Sequence, residues 1–191
     1  KTGQHFRLMA NLDYSGKTYT RIGRTAQFQG TFDGYGHSIS NVVINQPNQE
    51  GQALFAIIGD NGTVKNLVLG TGSSITVKKY VGGIAGLCKG TVMGCTVSEG
   101  VTIKGQQDVG GITGRINGTL SWCVNKSSVS GTLQYVGGIA GYSNESTIND
   151  NLNLGIVGSR LEYALYEGGI VGSNSNTLLS NNYYAGRCTK G

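Results

Sequence analysis

The chain has 191 residues, and although it carries a formal net charge of +5, only 13% of its residues are charged. This weak cationic bias comes without a recognisable nucleic-acid-binding module, so we expect no nucleic-acid partner. Glycine accounts for 33 residues and proline for 1, and the glycines recur at fixed positions, which indicates ordered tight turns rather than disorder.

The N-terminal residues, 1–27, alternate apolar and polar side chains and are predicted to form an opening half-coil or cap. Residues 28–191 are predicted to form the repeat coils, so that residues 1–191 make a single domain. No apolar run is long enough to span a bilayer, and we expect no membrane insertion by this segment. A start at Lys1, inside what resembles a first coil, predicts that the segment is part of a longer chain.

A short block that contains Gly-Gly recurs along the chain from Tyr80 onward. It reads YVGGIAG from Tyr80, DVGGITG from Asp108, YVGGIAG from Tyr135 and YEGGIVG from Tyr166, so that the glycine pairs begin at positions 82, 110, 137 and 168. Each block is followed by a turn and a β-rich segment, and no stretch has helical apolar spacing. A period of this length predicts stacked turns of a solenoid built from parallel strands.

Apolar residues fall into columns when the repeats are placed in register. One predicted inward column takes one residue from each repeat and contains Ile39, Val64, Val92, Leu120, Ile148 and Leu179. A second contains Leu54, Ile84, Ile112, Ile139 and Ile170. With turns about 4.8 Å apart, six coils of roughly 28 residues give a cylinder roughly 29 Å long.

For two further adjacent columns, the sequence does not decide which one faces inward. One contains Val42, Leu67, Cys95, Cys123, Asn151 and Asn182, and the next contains Val43, Val68, Thr96, Val124, Leu152 and Tyr183. If the first is inward, its asparagines must bond each other or a turn backbone, because an unpaired buried amide costs roughly 1 to 3 kcal/mol. An asparagine ladder is therefore expected.

The segments FQGTFDGYGHSISNVVI and ALFAIIGDNGTVKNLVL, followed by VGGIAG units, resemble the GLUG-repeat family of bacterial surface proteins. In that family the repeats accompany IgA-cleaving peptidases as a non-catalytic region and occur in filamentous-haemagglutinin-like adhesins. The resemblance implies an all-β, right-handed parallel β-helix and an extracellular or cell-surface location. The first unit departs from the family's G-L-F-G and reads Ala53-Leu54-Phe55-Ala56.

The sequence offers little for a metal, a cofactor or catalysis. The four cysteines contain no paired C-x-x-C, and both histidines, His5 and His37, precede the repeats, so we expect neither metal nor cofactor. Cys95 and Cys123 share a column and are expected to lie close but unbridged, because side chains in register run parallel. The nearest acids by register, Glu50 and Asp108, lie about two coils apart, so we predict that the chain is not an enzyme.

The candidate ligand-binding residues precede the Gly-Gly blocks. They are Tyr80, Asp108, Tyr135 and Tyr166, and the charge on Asp108 predicts that their column meets water on the outer wall. Such a wall suits an adhesin-like module that binds host or matrix glycan or protein. Three alternatives remain: tyrosines that only stiffen the wall, a passive stalk that presents another domain, and a polysaccharide-degrading β-helix enzyme.

Overall fold

The computed structural model describes residues 3–159 and 166–188, apart from the side chains of Ser159 and Cys188. Within these residues all regular structure is β-strand, and each strand pairs in parallel with its counterpart in the neighbouring turn. The chain is therefore a parallel β-helix of about six turns, as the repeat spacing predicts. No helix in the described part of the chain has the length and apolarity needed to cross a bilayer.

The strands, numbered in chain order, form four sheets along a common axis. Sheet 1 holds β1 His5–Arg7, β3 Thr31–Asp33, β7 Thr63–Lys65, β11 Thr91–Met93, β16 Thr119–Ser121, β21 Thr147–Asn149 and β26 Leu178–Ser180. Sheet 2 holds β2 Leu12–Asp13, β4 Ser38–Ser40, β8 Val68–Leu69, β12 Thr96–Val97, β17 Val124–Asn125, β22 Leu152–Asn153 and β27 Tyr183–Tyr184. Sheet 3 holds β5 Val43–Gln52, β9 Ser74–Val81, β13 Thr102–Lys104, β14 Gln107–Gly110, β18 Ser128–Gly131, β19 Gln134–Gly137, β23 Ile156–Ser159, β24 Glu167–Gly168 and β28 Arg187–Cys188. Sheet 4 holds β6 Phe55–Ile58, β10 Ala85–Cys88, β15 Thr113–Ile116, β20 Ala140–Asn144 and β25 Val171–Ser175.

Stacked apolar side chains fill the interior as one continuous core. The second predicted column is confirmed, because Leu54, Ile84, Ile112 and Ile139 are fully buried and are joined from turn to turn by backbone hydrogen bonds. From Val64 onward the first column is also confirmed, since its members pair in register through sheet 1. From Val64 onward, the apolar columns predicted from the sequence are therefore the columns that form the core.

The predicted register of the first turn is wrong. Val64 pairs with Phe32 in sheet 1, whereas Ile39 pairs with Leu69 in sheet 2. The first turn is longer than the later ones because β5 has a bulge and because the corner after Asp33 contains two extra residues. The assumption of nearly equal turns consequently selected the wrong partner for Val64.

The choice between the two open columns is decided by burial. Leu67, Cys95, Cys123 and Asn151 are fully buried, so their column faces inward, while the column of Val68 and Thr96 faces outward. The first-turn members assigned to these columns belong elsewhere. Val43 pairs with Ser74, and the backbone N–H of Val42 donates to Ser73 Oγ at 3.1 Å, so both lie beside sheet 3.

The predicted asparagine ladder is present. Asn151 Oδ1 accepts a hydrogen bond from the backbone N–H of Cys123 at 2.9 Å, and Asn151 Nδ2 donates to Asn182 Oδ1 at 2.9 Å. A second ladder, not predicted, lies in sheet 2, where Asn125 Nδ2 donates to Asn153 Oδ1 at 2.9 Å. Asparagine thus replaces apolar residues in the interior where its amide can bond to the next turn.

The cysteines Cys88, Cys95 and Cys123 are free and buried. Burial raises the pKa of the Cys88 thiol to about 12, and it also raises the pKa of Cys123, whose thiol interacts with that of Cys95. The side chain of Cys188 lies outside the described residues. These three thiols therefore serve as small core side chains.

The Gly-Gly pairs follow from how closely the turns approach one another. A Cβ on the second glycine of a pair, such as Gly111, would collide with the carbonyl oxygen of the second glycine in the next turn, Gly138. The third glycine of a block, such as Gly114, lies against the backbone of Tyr80 and Asp108. Glycine is required at these positions because backbone meets backbone there, and this contact fixes the residues that precede each block.

Candidate functional site

The four candidate residues stack in register along sheet 3, and we call them the tyrosine strip (Tyr80, Asp108, Tyr135 and Tyr166). Their neighbours in the chain pair across the turns, Val81 with Val109, Val109 with Val136, and Val136 with Glu167. Val81, Val109 and Val136 are fully buried. The strip residues therefore occupy the same position in successive turns, where Tyr80 and Tyr135 are half-buried and Tyr166 is exposed.

The backbone of the strip is unusual. Tyr80, Asp108 and Tyr135 have φ values of 55°, 53° and 59°, in the left-handed region that L-residues other than Asn and Asp seldom adopt. The conformation costs roughly 1 to 2 kcal/mol for a residue with a bulky side chain. The close packing of the third glycine of each block against this backbone holds the conformation in place.

Aromatic rings at the upper end of the strip form a cluster. The Tyr135 ring lies 5.4 Å from Tyr166 and 5.1 Å from Tyr142, which is on β20 of sheet 4. The Arg115 guanidinium lies over the Tyr142 ring at 4.6 Å. Tyr166 is 49% exposed, whereas Tyr135 is half-buried, so the cluster presents ring faces and hydroxyls at the corner between sheets 3 and 4.

Two cations lie beside the lower end of the strip. Lys79 Nζ lies 4.7 Å from the centre of the Tyr80 ring, and the Arg115 guanidinium lies 5.8 Å from it. Contacts of this kind contribute roughly 0.5 to 1 kcal/mol at exposed sites. Arg115 therefore links the Tyr80 ring at the lower end to the Tyr142 ring of the cluster.

The inference that Asp108 meets water is wrong. Its side chain is buried, with Oδ2 3.9 Å from Arg115 Nη1 and Oδ1 without a hydrogen-bond partner. Burial raises the pKa of Asp108, although Arg115 and Lys79 oppose the shift, and the nearby Glu50 adds to it. Asp108 lies in the turn between those of Tyr80 and Tyr135.

Sequence reasoning missed Arg115 and Tyr142. Both follow the third glycine of a Gly-Gly block, and they pair with each other across sheet 4 in a column that also contains Leu87 and Ser173. Aligning the residue after each third glycine would have placed them beside the strip. In the described residues no group of three or more His, Cys, Asp or Glu side chains could hold a metal ion.

Comparison with known proteins found no protein-family model that matches the chain. Over 83 residues it is 40% identical to a "Putative Gly-rich membrane protein" of Evansella cellulosilytica, a match that covers 40% of this chain and 10% of that protein. Over 99 residues it is 31% identical to "Halomucin" of Haloquadratum walsbyi, a match that covers 46% of this chain and 1% of that protein.

A solved structure matches nearly the whole chain. The crystal structure of "a putative immunoglobulin A1 protease from Bacteroides ovatus" superposes with a TM-score of 0.76 at 21% identity, over 98% of this chain and 62% of that one. The fold is shared. The chain spans about a tenth and a hundredth of the two curated relatives and less than two thirds of the solved chain. The β-helix implied by the GLUG resemblance is thus confirmed, while the GLUG repeat itself is not identified by these comparisons.

Proposed function

We propose that this chain is a non-catalytic β-helix module of a secreted or cell-surface protein, and that it binds host or matrix glycan or protein on its side wall. The observation that carries the proposal is the tyrosine strip, in which the Tyr135 ring contacts Tyr166 and the Tyr80 ring lies beside Arg115 and Lys79. Aromatic faces with adjacent polar groups are typical of binding surfaces.

The surface location is supported by the names of the similar proteins, which include a membrane protein, a halomucin and an immunoglobulin A1 protease. The GLUG resemblance of the repeats points the same way, since that family consists of surface and secreted proteins. We infer that the chain is one region of such a protein and carries no catalytic centre of its own. In this proposal any hydrolysis would belong to another part of the parent protein.

Strain in the strip also supports a binding role. Three of its members hold a backbone conformation that Asn or Gly would adopt at lower cost, and two of these are tyrosines. If the tyrosine rings only stiffened the wall, residues that tolerate the left-handed backbone, such as asparagine, could have held the turns together at lower cost. Ligand contact gives a reason for tyrosine at these positions.

The test is a glycan-array and matrix-protein screen of three proteins. They are the intact chain, a strip variant with Tyr80→Ser, Tyr135→Ser and Tyr166→Ser, and a control with Tyr35→Ser and Tyr183→Ser, which removes two exposed tyrosines outside the strip. We expect the intact chain and the control to bind and the strip variant to lose binding while keeping its β circular dichroism. Binding that survives in the strip variant would exclude the strip as the contact surface.

The second candidate is a passive stalk, and the uninterrupted core favours it. Sheets 1 and 2 each contain seven described strands, which at about 4.8 Å per strand span roughly 29 Å without a break. Such a rod would hold a neighbouring domain at a fixed distance. Absence of binding by all three proteins in the same screen would favour the stalk over the binding module.

A further inference from the structure

An exposed aromatic residue, Trp122, lies at another corner of the helix, between sheets 1 and 2. One residue per turn adopts the left-handed conformation at this corner, which Asn, Asp and Gly tolerate best. From Asn66 onward the column and its φ values are Asn66 (53°), Gly94 (60°), Trp122 (57°), Asp150 (57°) and Asn181 (50°). Among these five residues Trp122 is the one whose type does not suit the backbone, and before Asn66 a tyrosine, Tyr35 (51°), has the same conformation between β3 of sheet 1 and β4 of sheet 2.

Packing does not account for Trp122. Its side chain is 62% exposed, and it makes no ring contact with another aromatic residue in the described part of the chain. Neighbouring turns have Gly94 on one side and Asp150 on the other, so no large side chain covers the indole at the equivalent positions. The chain thus places its one tryptophan in a strained backbone conformation and leaves it open to the solvent.

Polar groups next to Trp122 are already held in place. The Asp150 carboxylate accepts a hydrogen bond from Asn149 Nδ2 at Oδ2, and it accepts another from Asn181 Nδ2 at Oδ1, 3.1 Å away. The corner therefore offers a flat aromatic surface in one turn and ordered carboxylate and amide groups in the next two. Ordered groups of this kind lose little conformational entropy when they bind a ligand.

We propose that this corner, formed by Trp122, Asp150 and Asn181, is a subsite for a linear neutral glycan that lies along the helix axis. One sugar ring would stack on the indole, and hydroxyl groups of the following sugars would meet Asp150 and Asn181. Turns about 4.8 Å apart match the length of one sugar ring, so successive sugars would reach successive turns. The carboxylate of Asp150 disfavours an acidic glycan.

A glycan fits this corner better than a protein partner. Tryptophans that anchor protein interfaces lie in packed pockets from which surrounding residues exclude water. Trp122 instead lies on a convex edge beside Gly94, with polar groups following along the axis. The inference rests on the proposed binding function, but it uses a different corner of the helix from the tyrosine strip.

Because Trp122 is the sole tryptophan, its fluorescence reports on this corner alone. The experiment titrates the intact chain with cellohexaose, mannohexaose and chitohexaose, and with a hyaluronan hexasaccharide as the acidic comparison. We expect a saturable blue shift with at least one neutral hexasaccharide and none with the hyaluronan fragment. No shift with any neutral hexasaccharide, or a shift with hyaluronan alone, overturns the proposal.

Calorimetry of Trp122→Asn separates binding from stability. The variant should lose at least tenfold in affinity because the indole is removed. Its Tm should rise by roughly 2 to 4 °C because asparagine adopts the left-handed conformation at lower cost. Trp122→Phe should keep more affinity than Trp122→Asn. Unchanged affinity in Trp122→Asn overturns the proposal.

The strip variant distinguishes this proposal from the proposed function. Glycan binding that is lost in Trp122→Asn and kept in the strip variant supports the corner and excludes the strip. Binding that is kept in Trp122→Asn and lost in the strip variant overturns the corner and leaves the binding module standing. Absence of glycan binding by the intact chain overturns the corner, and the binding module is overturned as well only if the matrix-protein screen is also negative.

Discussion

The Asp108 carboxyl lies in a column of tyrosines and is covered by its neighbours. Its charge is opposed by burial and is only partly compensated by Arg115, whose side chain is 33% exposed and whose Nη1 lies 3.9 Å away. A pair of this length, with the cation partly in solvent, offsets little of the cost of burying a carboxylate. The column therefore retains an acid that stability alone would not favour.

This burial predicts a pH dependence for Asp108→Asn. The folded-state pKa of Asp108 lies above its usual value of 3.8, so the stability associated with this group is fully present below about pH 3.8 and is lost as pH rises through the folded-state value. Asparagine does not titrate. The free energy of unfolding of the variant relative to the parent chain should therefore increase between pH 4 and pH 7.

Urea unfolding at pH 4, 5.5 and 7 measures this difference. Asp60→Asn, which removes a carboxylate from an exposed turn, serves as the control for the loss of a surface charge. If the stability of Asp108→Asn relative to the parent chain falls over this pH range, or changes as it does in the control, burial does not raise the pKa of Asp108.

The asparagine ladders connect successive turns through side-chain hydrogen bonds. Asn151 occupies the interior between β21 and β22, where its amide contacts the turns on both sides. In an apolar core such a side chain is tolerated only because each of its polar atoms has a partner. The ladder therefore fixes the register of adjacent turns as well as filling space.

Replacement of Asn151 by Ala should destabilise the fold. The backbone N–H of Cys123 would remain buried without its acceptor, which costs about 1 to 3 kcal/mol. Asn174→Ala, at an exposed position on β25, is the matched control and should change stability by less than about 0.5 kcal/mol. Equal denaturation midpoints for the two variants would contradict the structural role of the ladder.

The strands that could be predicted from the sequence are those where repeats have nearly equal length. Ile84, Ile112 and Ile139 are predictable because the Gly-Gly block fixes the register around them, and Leu54 is predictable as their counterpart in the first unit. Ile39 was misplaced because the first turn is longer than the later ones, and periodicity contains no information about a single long turn.

The surroundings of Asp108 and the role of Trp122 were harder to predict from the sequence than the core. The positions of the tyrosine strip follow from the repeat, but the electrostatic surroundings of Asp108 depend on Arg115 and Lys79, which lie in other columns. Trp122 was missed although a signal existed. A column of Asn, Gly, Asp and Asn indicates a corner with left-handed backbone. A tryptophan in that column is disfavoured by the backbone and therefore indicates a role for its side chain.

At the scale of the whole molecule, the fold separates an apolar interior from two distinct outer corners. The core runs unbroken through the described turns, while the tyrosine strip lies between sheets 3 and 4 and Trp122 lies between sheets 1 and 2. A rigid stack of this kind holds both corners in fixed positions without any moving part. The proposed binding therefore takes place on the side wall, at one or both of these corners.

Hydrogen exchange of the backbone amides, with and without the glycan or matrix protein that binds most strongly on the array, locates the bound ligand on the protein. Bound ligand should slow exchange in the turns around Tyr80, Tyr135 and Tyr166 or in those around Trp122, Asp150 and Asn181, and should leave the N-terminal layer, 5–13, unchanged. Protection confined to the N-terminal layer, or an array on which nothing binds, would contradict a binding function of the side wall.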